Sequence, residues 1–202
     1  MSIFLEGMGV GFYIADPVGV IGVVCMHQAL RGGVRLGLAA GFGAATVDML
    51  YSILVAIGAT TIQVILFSYQ TPLTLVGGLL ICGLGIKEFF MPPSPIDHVW
   101  HAPRYLLKTF LLTFVLTLTN PATLLDFMSL IAVLKIDLPT YLDKILYVSG
   151  AWWGSTIWWI SLSLIVAHFR QCISGHVLQN VNRVAGVLIF GFGLYALSRL
   201  WW

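Results

Sequence analysis

Residues 33–51 read GVRLGLAAGFGAATVDMLY (Gly33 to Tyr51), and from Met49 through Ile86 no side chain carries a formal charge. A helix that spans a bilayer needs ~20 mostly apolar residues, so this stretch and its continuation read as membrane-embedded. Gly33, Gly37, Gly41 and Ala45 recur every fourth residue, a stripe of small side chains that lets a neighbouring helix approach closely. Asp48 follows Gly41 by seven residues, about 20° from that stripe at ~100° per residue. The phase therefore predicts a carboxylate turned into the bundle rather than toward lipid. An acid at the bilayer centre costs at least ~2.5–3.5 kcal/mol, and such residues mark an ion or substrate path.

The rest of the chain agrees with that reading. Of its 202 residues 59% are hydrophobic and only 9% charged, against roughly 25% charged in a soluble domain. Mean hydropathy is +0.96. These values exclude a soluble enzyme and a disordered chain. Ten Lys and Arg against eight Asp and Glu, a net charge of +2, provide no basic patch for nucleic acid. Cys25, Cys82 and Cys172 are widely separated and form no CxxC pair, so neither a disulfide framework nor a zinc site is expected. No GxSxG or HExxH motif occurs, and His27, His98, His101, His168 and His176 fall at predicted span ends or loops, where they read as interfacial or solvated. An enzyme is not expected, nor a cofactor or a resident metal.

Breakers divide the chain into six predicted spans, about 3–30, 34–66, 72–90, 104–134, 145–167 and 181–200, in a single transmembrane domain over 1–202. The expected fold is an all-α membrane protein with six transmembrane helices. The first thirty residues lack Lys and Arg, and so lack the basic start of a cleavable signal peptide. The odd-numbered loops hold Arg31, Arg35, Lys87, Arg104, Lys108, Arg170 and Arg183, while the opposite side holds only Lys135, Lys144 and Arg199. Basic residues concentrate in the cytoplasm, so both termini are expected outside.

Two further features mark a path. Asp16-Pro17 falls inside the first span and Asn120-Pro121 inside the fourth. Proline removes a backbone donor and clashes with the preceding turn, and in hydrocarbon the freed groups need other partners. The two breaks lie three spans apart, so the halves would run in opposite directions, a 3+3 inverted repeat with broken first and fourth helices. Paired interrupted helices point to a transporter's midplane site. On an unbroken fourth helix Thr109, Thr113, Thr117 and Asn120 would form one polar stripe, and Thr119, Thr123 and Asp126 a second. Asp126 falls ~10 Å from the centre of that span toward the outer face, at 1.5 Å per residue. The candidate substrate or ion-binding residues are thus Asp16, Pro17, Asp48, Thr117, Asn120, Pro121 and Asp126. Trp152, Trp153, Trp158 and Trp159 lie inside the fifth span, where they read as lipid-facing bulk or, alternatively, as a hydrophobic gate.

The ordered motifs resemble those of the LysE/RhtB family of amino-acid exporters. Pro17-Val18-Gly19 stands where that family has Pro-Gly-Pro. Arg31-Gly32-Gly33-Val34-Arg35-Leu36-Gly37 resembles its basic turn, and Gly43 to Asp48 its glycine-rich second span with an Asp. Leu118-Thr119-Asn120-Pro121 matches its Asn-Pro, and Asn182 through Leu194 its glycine-rich last span. The chain departs at Val18 and Gly19, at Ala122-Thr123 where a Lys is common, and in the extra acids Asp16 and Asp126. The resemblance implies six spanning helices in the bacterial inner membrane and proton-coupled export of amino acids or similar small amine-bearing solutes. The alternative is a divalent-cation exporter of the same superfamily, since hard cations take oxygen ligands. The sequence leaves the substrate, the coupling ion and the oligomeric state open.

Overall fold

The computed structural model describes residues 2–15, 19–58, 69–90, 103–120, 123, 126–127, 129–130, 137–170 and 175–198. Those residues are all-helical, without strands. The helices are α1 (Ile3–Ile14), α2 (Val20–Ala56), α3 (Gln70–Phe90), α4 (Pro103–Leu118), α5 (Tyr141–Arg170) and α6 (Gly175–Ser198).

Local chemistry sets several of these limits. α5 begins with a reciprocal cap: the Asp143 backbone N–H donates to Thr140 Oγ1 at 3.2 Å, and the Thr140 N–H donates to Asp143 Oδ2 at 3.1 Å. That pair satisfies two of the amide donors a helix start leaves unbonded. Pro103 opens α4, where its missing N–H and fixed φ cost nothing. Inside α2, Gly33 has φ 69° and ψ −161°, a region essentially reserved for glycine. The chain folds back there: Cys25 and Ile21 before the turn pack with Ala40 and Ala44 after it. α2 is therefore a hairpin of two helical arms.

This hairpin is the centre of the molecule. It packs against α5, α4 and α6, while α1 lies on α5 and α3 on α6. Glycines set the closest approaches. A Cβ on Gly7 or Gly11 would strike the backbone carbonyls of Tyr147 and Ala151, and one on Gly150 or Gly154 would strike those of Phe4 and Met8. α3 and α6 meet in the same way through Gly85 and Gly186, whose Cβ atoms would lie 2.8 Å from each other's carbonyl oxygen. Helices in lipid gain nothing from hiding apolar surface and associate instead through such close packing.

The outward faces are apolar. Leu79, Leu107, Leu111, Ile157, Leu164, Val184, Val187 and Leu188 are all exposed. Among the described residues α2 and the Gln179–Ser198 part of α6 are long and apolar enough to cross a membrane by length and composition.

Candidate functional site

Both helix breaks border one cavity. α1 ends at Ile14 and α2 starts at Val20, so the first predicted span is two helices; Asp16, Pro17 and Val18, which lie between them, are outside the described residues. α4 ends at Leu118, Asn120 is not helical, and helical residues resume at 123, 126 and 127. Pro121 lies outside the described residues. Between these breaks is a cavity of about 170 Å³, many times the ~10–15 Å³ that a single water requires. Ile14, Ala15, Gly19, Val20 and Ile21 form one wall, Thr117, Asn120, Thr123 and Asp126 another, and Ala44, Asp48 and Trp159 the third.

The second break re-phases the fourth segment. Thr117 and Asp126 are nine residues apart, which on an unbroken α-helix is about 180° of rotation. They would face opposite ways, as the two separate stripes read from the sequence imply. With the helix interrupted at Asn120, Thr117, Asn120, Thr123 and Asp126 all line one cavity, and the Asn120 amide donates to Thr123 Oγ1 at 3.2 Å. The remaining threonines serve the packing. Thr113 donates to the Ala40 carbonyl at 2.7 Å, joining α4 to α2. Thr119 donates to its own helix at Val115 and sits against Gly77 rather than in the cavity.

Asp48 is 3% exposed. Ser155 Oγ donates to its Oδ2 at 2.6 Å, a short bond that links α2 to α5. Trp159, one turn further along α5, lines the same cavity. An ionised acid in such a site needs partners for its remaining lone pairs; the cavity on its open side is where a cationic group or water would supply them.

The structure corrects two expectations. Trp159 is buried at 3% exposure and lines the cavity, so it is not lipid-facing, whereas Trp153 at 47% is exposed. His27 is buried rather than solvated. Its Nε2 lies 2.8 Å from Asn182 Oδ1 in α6, and its Nδ1 lies 3.6 Å from Glu88 Oε2 in α3. Arg31 Nη1 approaches both Glu88 oxygens at 3.3 and 3.4 Å. Sequence reasoning missed this buried group of His27, Arg31, Glu88 and Asn182. One available signal was the four-residue spacing of His27 and Arg31, which sets both on one helix face. Among the described residues no group of three or more His, Cys, Asp or Glu could hold a metal ion.

A family model described as "LysE type translocator" matches residues 13–199. The chain is also 27% identical over 200 residues to the "Putative amino acid efflux protein YcgF" of Bacillus subtilis (strain 168), a match covering 96% of this chain and 95% of that protein. No solved structure matches it.

Proposed function

The chain belongs to the LysE type translocator family, a family of membrane transporters, and from that premise we propose that it exports amino acids or similar small amine-bearing solutes across the bacterial inner membrane, driven by protons. The observation that carries this reading is the cavity between the two helix breaks, whose walls bear two carboxylates and the start of a helix. Asp48 on one wall and Asp126 on another supply carboxylates, suited to an ammonium group. The remaining wall includes the start of α2 at Gly19 to Ile21, whose N-cap residue is a glycine without a capping side chain. A helix start, with its backbone N–H groups and the positive end of the dipole, favours a carboxylate. A zwitterion laid across the cavity would meet both. Thr117, Asn120 and Thr123 would offer it hydrogen bonds without charge.

Coupling is assigned to Asp48. A buried acid that takes up a proton when the amine leaves, and loses it when the amine binds, exchanges one for the other across the membrane. Asp16, Pro17 and Pro121 are assigned to the same site as the residues of the breaks themselves.

The packing supports a duplicated, inverted architecture for this exporter. α1, which precedes the first break, lies on α5, and α4, which precedes the second, lies on the second arm of α2, where Thr113 meets Ala40. Exchanging the halves interchanges these two pairings and leaves α3 on α6 unchanged. Helices broken at matching places in such halves are where transporters place their substrate.

The test is an efflux screen across amino acids, dipeptides and divalent metals in cells with and without the protein, followed by efflux from loaded vesicles under an imposed pH gradient. Gradient-driven efflux of an amino acid is expected. Efflux of metals alone would overturn the amino-acid reading, and amino-acid efflux that ignores the pH gradient would overturn proton coupling.

A further inference from the structure

At the Gly33 end of the bundle three helices are joined by polar side chains in an otherwise apolar interior. Glu88 of α3 is 5% exposed, His27 of α2 is 2% exposed and Asn182 of α6 is 1% exposed. Arg31 of α2 reaches Glu88 with one nitrogen shared between both carboxylate oxygens, at 3.3 and 3.4 Å. That is longer than the ~2.7–2.9 Å of a tight charge-assisted bond. Arg35, Lys87, Arg104, Lys108 and Arg183, also at this end, are exposed.

The position of this network is informative. α3 packs along α6 rather than along α2, so Arg31–Glu88 bridges a seam that backbone packing leaves open. Within that seam is a small void of about 10 Å³ bordered by Val24, His27, Gln28, Leu84 and Glu88, room for no more than about one water. The same arm of α2 runs from Arg31 and His27 to Val20 and Ile21 in the cavity wall, a distance of only ~10–15 Å at 1.5 Å per residue.

We propose that His27, Arg31, Glu88 and Asn182 form a gate that closes the Gly33 end of the bundle over the Asp48 cavity and opens by separating α3 and α6 from the first arm of α2. The inference rests on reading that cavity as the site of the transported solute. Closed, the gate holds water and solute out of the cavity from this face. Breaking a buried ion pair from one side leaves an uncompensated charge, so loss of either partner favours the open state.

The experiment reads access directly and requires no knowledge of the solute, so its outcome is separable from that of the efflux screen. Ala44→Cys is introduced as the only thiol, with Cys25, Cys82 and Cys172 replaced by serine, and is labelled with a membrane-impermeant maleimide in vesicles of each orientation. Ala44 lines the cavity and is itself buried. With the gate intact, labelling from the Gly33 face is expected to be slow. Glu88→Gln should accelerate it by about tenfold or more without changing labelling from the opposite face. The charge swap Arg31→Glu with Glu88→Arg should restore slow labelling. Where Glu88→Gln does not reach the membrane, Arg31→Gln provides the same reading. Unchanged labelling in a well-inserted variant, acceleration from both faces alike, or a swap that fails to restore closure would each overturn the gate and leave the network a packing device.

Discussion

Asp48 is the residue on which the proposed coupling stands. Asp48→Asn preserves shape and can still accept the Ser155 hydroxyl, but it cannot cycle its charge. Gradient-driven efflux from vesicles should fall to background in Asp48→Asn at matched expression, while Asp126→Asn should matter less. Full transport by Asp48→Asn would reduce this aspartate to a packing residue and move coupling to Asp16. Ser155→Ala tests the neighbouring bond: a hydrogen bond to a charged group contributes about 1.5–3 kcal/mol. Its loss should shift the pH dependence of efflux while leaving insertion intact, and an unmoved profile would show that the bond has no part in tuning Asp48. The orientation of Asp48 was legible in the sequence because the small-residue stripe of its own helix supplies the phase. His27 and Glu88 were not. Their partners lie 155 and 57 residues away in the chain, and a charge near a span end reads alone as interfacial.

At the scale of elements, glycine positions separate those that packing requires from those it tolerates. Gly11 lies against the Ala151 backbone, while a Cβ on Gly9 would meet nothing within 4 Å. Gly11→Ala should force α1 away from α5 and destabilise the protein by about 1–3 kcal/mol, the usual cost of overpacking. Gly9→Ala should be neutral or stabilise it by up to ~1 kcal/mol, since alanine is the better helix former. Thermal unfolding of both variants in detergent checks the contrast, and equal melting temperatures would refute the close α1–α5 contact. The small-residue stripe of the second span announced close packing there without naming the partner helix, whereas the α1–α5 glycines carried no such reading. The convergence of Thr117, Asn120, Thr123 and Asp126 was less legible still. Periodicity assumes a continuous helix, and the break at Asn120 is what brings residues from two predicted stripes into one wall.

For the whole molecule, a chain this apolar has few ways to fold: with every backbone group satisfied inside hydrocarbon, helices are the only spanning structure a sequence without strand patterning can form. Composition therefore announced the all-helical architecture, and the positions of Gly33 and the prolines announced where helices turn. What composition could not supply is which way the bundle faces. The contacts give one part of the answer, because Arg31 meets Glu88 and His27 meets Asn182, so the basic turn after the first span, the C-terminal end of α3 and the N-terminal part of α6 share one end of the bundle. Arg31, Arg35, Lys87, Arg104, Lys108 and Arg183 all belong to the segments at that end, whereas Glu6, Asp137 and Asp143 belong to the other. Basic flanks are retained in the cytoplasm, so the Gly33 end should face inward and both termini outward. Reporter fusions after Phe90 and at each terminus check this: activity of a cytoplasmic reporter is expected only at Phe90. The opposite pattern would invert the molecule and turn the proposed gate into an outer one. Substituting Arg31 and Arg35 together by glutamine should weaken the orientation signal, so that a fraction of the chains inserts inverted. Uniform orientation of that variant would show that the remaining basic residues at this end suffice to hold it.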